Sequence, residues 1–467
     1  MKKAIFSNLS FYMPVLTKAG RYIITSFLLA SMIIFHGGCK KYVQVDVLKD
    51  QLLSSQVFEN DASSNSAIAG LYSTLRTELY VGTPPKLMLA GLTADEMYNF
   101  FPSYDAYRNN SLLAANNPPH WTSLYKVIYS CNAAIEGLSS SKTINSVARN
   151  QYLGEAKFLR AFCYFNLVNL FGDVPLLTAT DVSVTANASR NPVTQVYDQI
   201  IADLKEAQAL LGTGYTYSNG ERTRVDRLAA SALQARVYLY TKDWVNAEKA
   251  ATAVISSGRF SLLGNLNGIF AKNNSEAIWQ LANSPTDLNY EALQYIFTTS
   301  PVFVCTDYLL KAFEPSDRRR NTWIKAGVYA GQSYYYPYKF TSTVASSNEY
   351  NTVLRLAEQY LIRAEARTQQ NNLSAAQDDL NTIRIRAGVS NTSADTQASL
   401  LDAILHERQV ELFSEGAHRW YDLKRTGRVD AVLAAEKPGF WKPTASLYPI
   451  PLSDIQKNPK LTQNAGY

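Results

Sequence analysis

From Val57 onward the apolar positions recur with a helical period. Val57, Ala62, Ile68, Ala69, Leu71, Tyr72 and Leu75 predict a first helix, with Ile68, Leu71, Tyr72 and Leu75 three or four apart. Pro84-Pro85 marks a turn before a second helix through Leu87, Met88 and Leu89. Between Asp95 and Asn110 the period fails. Tyr98, Phe100, Phe101, Tyr104 and Tyr107 stand there among Asn, Pro, Ser and Asp, which predicts an aromatic-rich loop. Periodicity returns at Trp121, Tyr125, Ile128 and Asn132. Gly154 to Phe171 is apolar nearly all round and predicts a buried helix. Gly172-Asp173, with Pro175 beyond, stops it. Val193 to Leu211 predicts another helix, closed by glycines.

Two helical hairpins follow, at about 226–257 and 354–387. In the first, Ala229 to Tyr240 and Trp244 to Ser256 flank a turn at Lys242-Asp243. Ala232, Ala235, Ala247, Ala250 and Ala251 allow close approach. In the second, Leu354 to Thr368 and Leu373 to Ala387 flank Asn371-Asn372. Ala357, Ala364, Ala366, Ala375 and Ala376 are the small residues there. Both resemble tetratricopeptide hairpins, yet they are not contiguous, so the pattern is a helical scaffold with insertions. The stretch 260–352 is irregular, with strand-like pieces at 277–280 and Tyr334-Tyr335-Tyr336. Loops of that length inside a compact body are commonly functional. A last helix is expected from Leu400 to about Arg425, and residues 447–467 read as an extended, Pro-rich strap. The expected fold is mainly α: hairpins forming one body over 56–467, with a loop-rich segment and a few short strands.

The N-terminus sets the compartment. Lys2, Lys3, Lys18 and Arg21 precede an apolar run from Tyr22 to Phe35, which is too short for a spanning helix and ends in Gly37-Gly38-Cys39. Small residues before a cysteine after such a run resemble the lipobox of bacterial lipoproteins. Residues 1–38 are therefore expected to be a signal peptide, Cys39 the lipidated residue and 39–55 a polar tether; a short membrane anchor is the alternative. Acyl chains contribute roughly 0.8 kcal/mol per buried methylene, enough to hold a folded body at a membrane surface. Of the 45 basic residues four lie in the leader, so 41 face 39 acidic ones in the mature chain. No basic stripe suggests nucleic acid. Cys131, Cys163 and Cys305 form no zinc spacing and an odd set. Buried small hydrophobes are the expectation, with a Cys131–Cys163 bridge as the alternative.

Catalytic chemistry is poorly supplied. His406-Glu407 begins like a zinc-protease motif, but Val410 stands where the second histidine belongs. No Gly-x-Ser-x-Gly elbow, phosphate loop or EF-hand loop occurs, and the chain has four histidines. No catalytic residue, metal ligand or cofactor is expected. Glu407, Glu411 and Glu415 share one helix face, where like charges repel unless paired. Arg408, Arg419 and Arg425 lie close in sequence and are the expected partners of a structural ion-pair network. Arg160, Arg355 and Arg384 are expected to tie helices together.

Five ordered blocks carry a family resemblance. The first runs from Gly154-Glu155-Ala156-Lys157-Phe158-Leu159-Arg160-Ala161 to Phe171-Gly172-Asp173-Val174-Pro175. Arg355 to Ala366, Leu380 to Gly388, Glu407 to Arg425, and Tyr448-Pro449-Ile450-Pro451 with Asn458-Pro459 to Asn464 follow. Together they resemble the SusD/RagB family of outer-membrane nutrient-binding lipoproteins. The resemblance implies a non-catalytic, cell-surface lipoprotein of the outer membrane. It would capture oligosaccharides, or peptides in the RagB branch, and deliver them to a SusC-like TonB-dependent transporter.

Candidate ligand residues come from the two irregular segments. They are Asp95, Tyr98, Phe100, Phe101 and Tyr104 from the first, and Tyr308, Trp323, Tyr334, Tyr335 and Tyr336 from the second. Aromatic faces would stack on ligand rings while Asn, Asp and Arg fix hydroxyls. The same loops suit a peptide. A further alternative is an interaction module whose ligand contacts lie mainly in the partner barrel.

Overall fold

The computed structural model describes residues 57–284, 287–344 and 348–467. The leader, Cys39 and the tether to residue 55 lie outside the described residues. Among the described residues the scaffold helices are α1 (Asp61–Leu79), α2 (Pro119–Ser140), α3 (Ser146–Phe171), α4 (Val193–Leu210), α5 (Arg227–Tyr240), α6 (Trp244–Ile255), α7 (Leu356–Gln369), α8 (Leu373–Ala387), α9 (Gln397–Leu412) and α10 (His418–Arg425). Among the described residues none is long and apolar enough to cross a membrane.

Helix α3 is the axis of the body. Asn145 caps its first turn, accepting from the Val147 amide at 2.9 Å. Nearly all of its residues from Gly154 to Phe171 are buried. Gly154 is needed for close approach, because a Cβ there would lie 2.8 Å from Leu211 at the end of α4. Gly172 ends the helix at φ +74°, where L side chains are strained. The C-terminal strap then closes over this end. Its Tyr448 amide donates to Leu170 O at 2.8 Å, and Asn464 Nδ2 donates to Phe171 O at 2.8 Å. The strap is not wholly extended, since Leu452–Lys457 forms a short helix.

The two hairpins, far apart in sequence, abut in space through α6 and α7. The alanines supply the contact: Ala232, Ala235, Ala247, Ala251, Ala357, Ala364, Ala366 and Ala376 are all fully buried. Ion pairs fix the register. Arg236 on α5 grips Glu358 on α7 at 2.7 and 2.6 Å, and Arg367 on α7 reaches Glu248 on α6 at 2.8 Å.

Among the described residues six strands make three antiparallel pairs: β1 (Met97–Asn99) with β3 (Phe303–Cys305), β2 (Ala277–Leu281) with β6 (Asn351–Arg355), and β4 (Ile324–Tyr329) with β5 (Gln332–Pro337). Strand β2 is buried throughout. Its Trp279 packs edge-to-face on Tyr72, Phe158 and Phe162, anchoring the irregular segment in the helical core.

The expected last helix is two helices. Ser414 (φ +55°) and Gly416 (φ +54°) break it between α9 and α10. The break turns Glu415 back toward Arg355 (2.7 Å) and Lys339 (2.5 Å). The acidic face of α9 is a structural network, but its partners are distant in sequence. Glu411 takes Arg319 at 2.8 Å and Arg355 at 2.6 Å, and also pairs with Arg386. Glu407 takes Arg319 and Arg384. Burial works to raise the Glu411 pKa; the guanidiniums of Arg386, Arg355 and Arg319 overcome it and hold the carboxyl well below its usual range. The sequence-local arginines serve elsewhere: Arg408 on Asp422, Arg419 on Asp95, and Arg425 on Glu365 and Asp422. Cys131, Cys163 and Cys305 are buried free thiols, so Cys131 and Cys163 are not bridged.

Candidate ligand platform

The β1–β3 pair brings the two irregular segments together. Met97 pairs with Cys305 and Asn99 with Phe303, and the Phe100 amide continues the ladder to Val302 O at 3.0 Å. Alternation along a strand puts Met97 and Asn99 inward and Tyr98 outward. Asn99 fixes the turn beyond. Its Nδ2 donates to Phe101 O at 2.7 Å and to Asp105 Oδ1 at 2.9 Å.

The β4–β5 hairpin stands beside this edge, with β5 against β3. Ala330 (φ +50°) and Gly331 (φ +79°) make its two-residue turn, a type I′ geometry that needs positive φ at both positions. Tyr329 then pairs with Gln332, and Gly327 with Tyr334. Residues opposite one another share a face, so Tyr329 and Tyr334 point the same way. The Phe297 ring lies over Gly327 so closely that a Cβ there would be 2.6 Å from it.

Phe100 joins the segments. It packs edge-to-face on Tyr334 with centroids 4.9 Å apart, on Tyr329 at 5.9 Å and on Tyr98 at 5.7 Å. Tyr98 remains 43% exposed and Tyr329 37%. Around these four rings stand polar groups. Arg108 lies over the Tyr98 ring at 4.6 Å and donates to Asp105 at 3.3 Å. Tyr334 Oη donates to Gln332 Oε1 at 3.1 Å. Phe101 is exposed next to Phe100. Tyr104 supports the loop from beneath, packing on Phe303 at 5.3 Å and donating to Thr83 O at 3.1 Å.

The other aromatic and acidic candidates fall outside the platform. Trp323 is 1% exposed; its Nε1 donates to Leu266 O at 3.0 Å and its ring covers the buried Lys339 ammonium at 4.6 Å. It is a core residue, because the short helix Arg318–Trp323 turns it inward. Asp95 is also buried, bound by Arg419 at 2.9 and 2.7 Å. Tyr308 stacks on that Arg419 at 5.9 Å, and burial first, then the Asp95 charge, raises its pKa. Tyr335 points to the opposite face of the hairpin, under the Arg320 guanidinium at 4.6 Å. Tyr336 shares the face of Tyr334 but packs on Phe297 and Tyr338. Sequence reasoning missed Tyr329 and Arg108. The Gly331 turn was the available signal: pairing across it puts Tyr329 on the face of Tyr334.

A hollow of about 520 Å³ lies elsewhere, along α2, lined by Trp121, Tyr125, Tyr129 and Leu461 among others. Two of its polar lining residues are already engaged, Asn132 on Leu177 O at 2.9 Å and Asn458 on Ala188 O at 2.8 Å. The platform offers rings and polar groups together, although it is open and shallow. Among the described residues no His/Cys/Asp/Glu group could hold a metal ion.

Residues 318–467 match the profile of the SusD family, and residues 49–239 match a second profile, described as starch-binding associating with outer membrane. The chain belongs to the SusD/RagB family. A SusD-like protein of Formosa agariphila is 26% identical, over 92% of this chain and 96% of its own. The starch-binding protein SusD of Bacteroides thetaiotaomicron is 25% identical, over 71% of this chain and 74% of its own. A crystal structure of a SusD superfamily protein from Bacteroides vulgatus superposes with a TM-score of 0.79 at 21% identity, covering 88% of this chain and 100% of that one. Family members are non-catalytic, glycan-binding outer-membrane surface lipoproteins that work with SusC-type transporters. This SusD-like chain is accordingly a binding protein and not an enzyme.

Proposed function

We propose that this SusD-like chain, held at the outer membrane through Cys39, captures oligosaccharides on the four-ring platform and hands them to a SusC-like TonB-dependent transporter. The observation that carries the reading is the junction at Phe100, where rings from both irregular segments form one partly open surface. Sugar rings present apolar C–H faces ringed by hydroxyls. Tyr98 and Tyr329 offer apolar faces at solvent, with Asp105, Arg108 and Gln332 near enough to orient hydroxyls. Covering about 80 Å² of such surface contributes about 2 kcal/mol, or roughly thirtyfold in affinity. One stacking ring therefore matters, yet the complex stays weak enough to release its cargo.

The test is affinity electrophoresis of the purified protein through gels containing a panel of polysaccharides, with peptide digests examined by calorimetry. Retardation by one glycan, weakened about tenfold or more by Tyr98→Ala or Tyr329→Ala, supports the reading. Heat on injecting peptides, with no glycan retarding the protein, would replace it with a peptide-binding one. No binding of either class would place the ligand contacts in the barrel.

A further inference from the structure

The β4–β5 hairpin has a free edge. Its two-residue turn makes Tyr329 and Gln332 the closing hydrogen-bonded pair, and pairing recurs at every second residue. Gly327 and Lys325 therefore point their backbone groups inward to β5, while Ala326 and Val328 point theirs outward. Strand β5 lies toward β3, so β4 is the outer strand. Among the described residues no backbone or side-chain group bonds to the outward N–H and C=O groups of Ala326 or Val328.

Exposed edges are usually blunted by proline, a bulge or a charge, because a bare one templates pairing with another chain. Lys325 is the one charge on β4; residues 326–329 beyond it carry no proline, bulge or charge, and their register is regular. The six residues of β4 span about 20 Å, enough for a strand to dock. Val328 is 70% exposed, and with Ala326 and Tyr335 it makes an apolar strip on the face turned away from the glycan platform. Two cations flank this strand. Arg320 lies over Tyr335, and Lys325 Nζ donates to Asn321 O at 3.0 Å. Among the described residues neither pairs with a carboxylate, whereas the neighbouring Arg319 takes Asp317.

We propose that the outer edge of β4 receives an extended, acidic segment of a partner protein as an added strand. Main-chain hydrogen bonds to Ala326 and Val328 set the register, and carboxylates on its two faces meet Arg320, on the Tyr335 face, and Lys325, on the opposite one. A second copy of this chain fits poorly, because edge-to-edge pairing would bring those cations together. A folded partner fits better than a free peptide, because it also covers the Val328–Tyr335 strip.

The test uses the full-length protein and synthetic probes read by fluorescence anisotropy. The probes are an extended peptide with valine at its centre and glutamates on both faces toward its ends, its lysine counterpart, the acidic peptide N-methylated at alternate residues, and the acidic strand displayed on the edge of a small carrier β-sheet. The acidic and carrier-borne strands are expected to bind saturably, and the basic one is not. N-methylation in the pairing register and Val328→Pro are each expected to weaken binding about tenfold or more, since each removes edge hydrogen bonds. Val328→Thr keeps the N–H and is expected to retain binding; Arg320→Glu is expected to weaken the acidic probe. No saturable binding of the acidic strand would overturn the proposal. So would binding indifferent to N-methylation, or binding of the free peptide but not of its carrier-borne form.

Discussion

Glu96 is a buried carboxyl next to the buried Asp95, close to Arg419 and Lys339. Burial first, then the Asp95 charge, pushes its pKa up to about 8 from an ordinary 4.5. Between those pH values the folded state holds a proton that the unfolded state has released. Stability therefore falls as pH rises through that window, by up to about 1.4 kcal/mol per pH unit from this group. Glu96→Gln removes that slope. Its stability advantage over wild type is expected to widen from pH 5 to pH 8 in urea titrations and then level off; a constant difference would contradict the burial account. Trp323 gives a second expectation at this scale. Its ring fills the core over Lys339, so Trp323→Ala is expected to cost about 3–5 kcal/mol of stability while leaving glycan affinity unchanged in the remaining folded protein. Composition and spacing identified the aromatic-rich stretches, but not which rings face water. Inward or outward direction is set by strand register, as at Tyr334 against Tyr335, or by a single helical turn, as at Trp323.

The long helices were legible because periodicity reports one buried face, and α3 and both hairpins lie where the pattern puts them. The α9–α10 break was not legible. Glu407, Glu411 and Glu415 keep their one-turn spacing across Ser414 and Gly416, so the sequence there still looks helical. The network that imposes the break is non-local: Arg319, Arg355, Arg384 and Arg386 come from three other elements. Removing the central carboxylate with Glu411→Ala would leave three guanidiniums in a dry site without their shared partner. A loss of about 3–5 kcal/mol is expected, visible as a lowered denaturation midpoint. A near-neutral effect would show that water or another carboxylate takes its place. The β4–β5 hairpin was half legible: the tyrosine run marked β5, while β4, with Gly327 and Ala326 inside it, lacks the β-branched density that marks a strand.

For the whole molecule, the helical body holds two remote loop segments in fixed relation. Strand β2 with Trp279 plugs the second segment into the core, and the β1–β3 ladder brings Phe100 to Tyr334. The family blocks in the sequence lie largely in that scaffold: Arg160, Glu411 and Arg425 all sit in buried pairs. They reveal the architecture and the family; in the proposed function, ligand identity rests on the exposed rings between them. The most direct measurement is calorimetric affinity for the retained glycan in wild type, Tyr98→Ala, Tyr329→Ala and Tyr335→Ala. A platform built from both segments predicts that the first two substitutions each weaken binding about tenfold or more, while Tyr335→Ala, on the opposite face, leaves it unchanged. Equal loss from all three, or none from Tyr98 and Tyr329, would contradict it.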